Sequence, residues 1–121
     1  MRMDKKELKK QYLQTQRPMG VYQVKNLANG KILIDSSLEV NGKMNRCKFQ
    51  LEHGSHPNIN LQNDFIKFGA DKFAFKIIDY LEPKEDAKND YAEDLKMLEE
   101  MWIEKLQPFG EKGYNKPKIS K

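Results

Sequence analysis

Three side chains able to do nucleophilic or acid–base chemistry lie close together in the chain: Cys47, His53 and His56. A thiol with an imidazole in reach is the pairing of cysteine hydrolases, because the base draws off the proton and the thiolate attacks. Met44, Cys47 and Leu51 recur at i, i+3 and i+7, so Cys47 also falls on the apolar stripe of a helix, where a lone cysteine serves as packing. No other Cys or His stands near it at zinc-ligand spacing, and a single cysteine cannot form an internal disulfide. This usage predicts a reducing, cytoplasmic compartment. A Walker-type phosphate loop, GxGxxG, HExxH and GxSxG are absent, which removes the enzyme classes built on them.

The 121 residues are 33% charged and 38% hydrophobic, the mixture of one domain that folds without staples. The net charge of +4 conceals a pattern. Residues 1–17 carry six basic and two acidic side chains, residues 18–78 eight and five, residues 79–104 three and ten, and residues 105–121 five and one. Basic ends and a basic first half suit nucleic-acid phosphates, while the acidic segment 79–104 offers a surface to a protein partner. No apolar run approaches the roughly 18–20 residues that span a bilayer, and the start Met1-Arg2-Met3-Asp4 leads into polar residues. Neither a membrane partner nor secretion is expected.

The elements that must position any site follow from periodicity. Leu8, Tyr12 and Leu13 mark an amphipathic helix over 5–16, which Arg17-Pro18 ends; residues 1–18 thus form a basic arm and 19–121 the domain proper. Gly20 to Lys25 and Lys31 to Asp35 read as strands joined through Asn29-Gly30, a β-hairpin. Ser36-Ser37 or Asn41-Gly42 opens the Cys47 helix, and Gly54 stops it. Leu61, Phe65 and Phe68 mark another helix ending at Gly69. Phe73, Phe75 and Ile77 alternate through a strand over 72–81, apolar on both faces and so expected at the centre of the sheet. After a polar loop over 82–90, Leu95, Leu98, Trp102 and Leu106 stripe a helix over 91–106. The order is α-β-β-α-α-β-α, and the fold expected is of α/β (α+β) type, a small three-stranded mixed or antiparallel sheet flanked by helices.

Gly20-Val21-Tyr22 on the first strand, Leu33-Ile34-Asp35-Ser36-Ser37 on the second, Glu99 to Leu106 and Gly113-Tyr114-Asn115 follow one another in an order that resembles the GIY-YIG nuclease superfamily over about residues 19–116. The resemblance implies a metal-dependent endonuclease acting on DNA. Phosphodiester hydrolysis needs an activated water, a divalent metal and a cation against developing negative charge. The family supplies two strand tyrosines, an arginine and a histidine one turn apart on a helix, a carboxylate metal ligand and a late asparagine. Carried over, the first tyrosine falls on Tyr22, the loop histidine on His56, the metal carboxylate on Glu99 and the asparagine on Asn115. The second tyrosine falls on Leu33, the arginine on Lys43 and the helix histidine on Cys47. Arg46, one turn on, is placed to stand in for the arginine. Asp35 replaces the last glycine of the second triad and sets a carboxylate near any bound phosphate.

Two functions stay open on these residues. One is a DNA endonuclease using Tyr22, Lys43 or Arg46, His56 and Asn115, with Glu99 holding Mg²⁺ or another divalent cation. The other is a catalytically silent domain of this fold that binds DNA or RNA, or a protein through segment 79–104. The substitutions at Leu33, Asp35, Lys43 and Cys47 touch catalysis rather than the core, so the fold can persist while function changes.

Overall fold

A computed structural model describes residues 18–82 and 91–116. The helix expected over 5–16, most of the loop over 82–90 and the extreme C-terminal tail lie outside the described residues. The elements are β1 (Met19–Asn26), β2 (Ile32–Ser37), α1 (Val40–Glu52), α2 (Ile59–Phe68), β3 (Phe73–Leu81) and α3 (Tyr91–Leu106), with 3-10 turns at Ala70–Lys72 and Gly110–Lys112. The strands form one antiparallel sheet in the order β2-β1-β3, so the fold is of the α+β type the sequence predicts.

The hairpin forms where Asn29-Gly30 allows it. Gly30 takes a φ of 81°, and its N–H and the Asn26 N–H close the turn on the carbonyls of Asn26 and Lys31 at 2.7 and 2.8 Å. The central strand is β1, which corrects the expectation for 72–81. β3 is an edge, with Ala74, Lys76 and Tyr80 exposed, whereas β1 is buried at Met19, Gly20, Val21, Tyr22, Val24 and Asn26. Alternation reports which side chains share a face, and an edge strand needs only one apolar face; Phe73, Phe75 and Ile77 supply it. Gly20 is required at this crowded position, because a Cβ there would run into the Asp79 carbonyl of β3.

The two faces of β1 serve different helices. Tyr22 and Val24 join Val40, Cys47 and Leu51 of α1 and Leu61 and Phe65 of α2 in the main core, each burial contributing about 1.5–3 kcal/mol for the larger aliphatics. On the opposite face Val21, Ser36 and Ile34 look towards α3, whose Leu95 is buried and whose Trp102 Nε1–H donates to Asp79 Oδ2 at 2.9 Å. α1 opens at Val40 rather than at Ser36-Ser37 or Asn41-Gly42. Its first N–H donates to the Pro18 carbonyl at 2.9 Å and Ser37 Oγ accepts from the Glu39 N–H at 3.0 Å, so neighbours satisfy the end without a side-chain cap from the N-cap residue.

Gly113 and Tyr114, beyond α3, close the structure. Buried Tyr114 donates its hydroxyl to Asp64 Oδ2 at 2.7 Å and accepts from Asn26 Nδ2 at 3.0 Å. Next to it, Gly113 makes an isolated parallel bridge to Ile32, and the Tyr114 N–H donates to the Ile32 carbonyl at 2.8 Å.

Candidate active site

An open cleft of about 560 Å³ lies between β1, the end of β2, α1 and the loop before α2. Tyr22 from β1, Lys43 and Arg46 from α1 and His56 from the loop all line it, with Asp35 and Cys47 between them. The hairpin register brings this about: Tyr22 pairs with Asp35, which puts both side chains on the α1 side of the sheet. Helical spacing does the rest, since Lys43, Arg46 and Cys47 are three and four residues apart and share one side of α1.

Asp35 is the hub. Its Oδ2 accepts the Tyr22 hydroxyl at 3.2 Å and meets Lys43 Nζ at 3.0 Å, while Oδ1 accepts its neighbour Ser36 N–H at 2.8 Å. Lys43 also donates to the Ser36 carbonyl at 3.2 Å. Burial pushes the Tyr22 phenol far upward, and the charge of Asp35 and its hydrogen bond add to it, so the group is a neutral donor at physiological pH. Arg46 is exposed, and its side chain makes no ion pair or hydrogen bond among the described residues. Of the two cations in the cleft, it is the one left to meet an incoming anion.

Cys47 and His56 meet at 3.3 Å between Sγ and Nε2. The Asn58 N–H donates to His56 Nδ1 at 3.0 Å, which in the neutral ring leaves the proton on Nε2, directed at the sulfur. Gln62 fixes the loop: its Oε1 accepts the His56 N–H at 2.9 Å and its Nε2 donates to the Leu51 carbonyl at 3.0 Å. Burial pushes the Cys47 thiol up to about 11 and holds the His56 imidazole below its ordinary value. A neutral thiol 2% exposed is a poor nucleophile, so this contact does not make a cysteine hydrolase.

The other two residues singled out in the sequence do not line this cleft. Glu99 stands across β2 on the α3 side, where Oε1 accepts the Ser36 hydroxyl at 2.8 Å. Burial raises its carboxyl, the Ser36 hydrogen bond opposes this, and the neighbouring Asp35 charge adds to it. Glu99, Asp35 and Ser36 are hard oxygen donors of the kind Mg²⁺ takes, and among the described residues no group of three or more His, Cys, Asp or Glu gathers round them. Asn115 is a clamp on β2: its Oδ1 accepts the Ile34 N–H and its Nδ2 donates to the Ile34 carbonyl, both at 2.8 Å. It borders a separate hollow of about 300 Å³.

Gln62 is the residue that sequence reasoning passed over, because a lone glutamine carries no motif; Ser36 stood there only within the second-strand motif and as a possible helix start, with no role at the site. Leu33, at the position of the missing phenol, is buried in the main core.

No protein-family model matches the chain. A stretch of 50 residues is 38% identical to Intron-associated endonuclease 1 of Enterobacteria phage T4, spanning 41% of this chain and 20% of that protein. Two solved structures share the fold. The catalytic domain of the homing endonuclease I-TevI superposes with a TM-score of 0.66 at 29% identity, over 83% of this chain and 99% of that one. A mutant of the same catalytic domain gives a TM-score of 0.64 at 28% identity, over 81% and 92%. Among the described residues no helix is long and apolar enough to cross a membrane.

Proposed function

We propose that the chain, similar in fold and in part in sequence to a homing-endonuclease catalytic domain, is a GIY-YIG-type nuclease that binds a DNA phosphodiester in the Tyr22–Arg46–His56 cleft and hydrolyses it with a divalent cation. The observation that carries this reading is the convergence of a phenol, an unpaired guanidinium and an imidazole on one open cleft. Arg46 grips the phosphate with its planar fork, which matches two oxygens at once where an ammonium meets one. Tyr22, neutral, donates to the phosphate or orients the attacking water; it is not the base. His56 lines the cleft with its ring held between the Asn58 N–H and Cys47 Sγ. Glu99, with Asp35 and the Ser36 hydroxyl beside it, would hold Mg²⁺ or another divalent cation, which supplies Lewis-acid stabilisation of the phosphate oxygens and of the leaving group. Hydrolysis adds water across one P–O bond, leaving a phosphate monoester and a hydroxyl. Asn115 supports this arrangement from behind, by holding β2 in register next to Asp35.

The test is cleavage of supercoiled and branched DNA by the purified chain with Mg²⁺ or Mn²⁺, against an EDTA control. Nicking that requires the metal and is lost in Glu99→Ala supports the reading; no cleavage above the variant's background across metals and substrates refutes it.

One observation favours a second reading, a silent DNA-binding domain. Lys43 is tied to Asp35 and the Ser36 carbonyl, so a cation that would serve the transition state is spent within the protein. Salt-sensitive DNA binding without cleavage would establish that case, since phosphate contacts weaken as counterions compete.

A further inference from the structure

Beyond Arg46, the outer face of α1 carries an exposed aromatic pair. Phe49 is 58% exposed, and its ring stacks on His53 with centroids 4.0 Å apart and planes 26° apart. His53 Nδ1–H donates to the Phe49 carbonyl at 2.9 Å, which holds the imidazole against the phenyl ring at the C-terminal end of the helix. Arg46, Phe49, Gln50 and His53 recur at i, i+3, i+4 and i+7 and so form one stripe. Arg46 and Gln50 line the cleft, so the stripe leads out of it. The same helix carries Lys43, Arg46 and Lys48 against one acid, Glu52.

We propose that the Phe49–His53 pair is a stacking platform for an unpaired base of a DNA strand whose phosphate lies on Arg46. This rests on the nucleic-acid reading above and narrows it: the substrate presents an unstacked base beside the bound phosphate, as at a mismatch, a branch or a single-stranded end. Every base has a π face, so stacking on an exposed ring is tolerant of sequence. Three residues of helix separate Phe49 from Arg46 by about 4.5 Å along the axis, within the span of one nucleotide. Charge chooses between occupants: a ring one helical turn from an exposed guanidinium that no described residue pairs suits a polyanion with an aromatic face rather than an apolar peptide.

The experiment uses the full chain in EDTA, with two DNA probes. One carries 2-aminopurine at an unpaired position, the other is its fully paired counterpart. Binding by the unsubstituted chain quenches the 2-aminopurine. Phe49→Ala abolishes the quenching and weakens binding of the unpaired probe roughly five- to a hundredfold, and changes binding of the paired probe less than about twofold. Phe49→Tyr restores both. An unchanged circular dichroism melt shows that Phe49→Ala is folded, as expected for an exposed ring. Equal affinity and equal quenching in the two proteins overturn the platform but leave the nucleic-acid reading standing. Failure of the unsubstituted chain to bind either probe overturns both. A dimer seen by light scattering and lost in Phe49→Ala overturns the proposal by assigning the pair to self-association.

Discussion

The Asp35 carboxylate and the Lys43 ammonium stand 3.0 Å apart at the mouth of the cleft, joining β2 to the first turn of α1. The same carboxylate oxygen takes the Tyr22 hydroxyl. Asp35 therefore occupies two donors that a phosphate would want, in the place where the family pattern has glycine. It acts on them as a bound anion would.

Asp35→Asn is accordingly expected to tighten DNA binding about three- to tenfold at low salt in EDTA, by removing a negative charge from the cleft and releasing Lys43. Stability should change by no more than about 1 kcal/mol, because the pair is partly exposed to solvent. Fluorescence anisotropy at two salt concentrations checks this; unchanged or weaker binding would show that Asp35 does not compete with phosphate.

Glu99→Gln keeps an acceptor for the Ser36 hydroxyl but removes the charge that a cation needs. Cleavage with Mg²⁺ is expected to fall at least about a hundredfold, while DNA binding in EDTA stays within about twofold. Cleavage that survives in Glu99→Gln would move the metal away from this carboxylate.

Asn115→Ala removes both hydrogen bonds to Ile34 and should destabilise the fold by about 1–3 kcal/mol, a drop of several degrees in Tm. Below the melt its DNA affinity should match that of the unsubstituted chain. A large loss of affinity with no loss of Tm would instead put Asn115 in contact with substrate.

Alkali should unfold this protein early. Burial raises the Cys47 thiol from 9.0 to about 11 and, as the largest cause, the Tyr114 phenol from 10.0 to about 12, and it raises Tyr22 as well. The native state favours the protonated forms. Their stabilisation is thus complete below the unfolded-chain values and is lost as pH rises through the native ones, a window of about pH 9–12. Urea denaturation at pH 7, 9 and 11 should show a falling midpoint, shallower in Cys47→Ser. At pH 8 buried Cys47 is held as the thiol, so iodoacetamide should label native Cys47 far more slowly than the unfolded chain.

Local rules carried much of the fold. Asn29-Gly30 marked the hairpin because a positive φ is needed there, and the spacing of Cys47 and Leu51 marked the buried stripe of α1. The types of Tyr22, Lys43, Arg46 and His56 and the family resemblance single these residues out, and the fold brings them to one cleft. The order of strands was not legible: alternation in 72–81 and in 19–26 specifies faces, and only packing makes β1 the strand covered on both sides. Nor could spacing say that Lys43 turns to Asp35 and leaves Arg46 unpaired, that His56 reaches Cys47, or that Asn115 clasps Ile34. Those contacts join separate elements, and their partners are set by sheet register and helix docking. Backbone preference is written within a few residues, so the sequence determined the elements and the chemistry available. The tertiary structure alone decided which charges neutralise one another and which remain for a ligand.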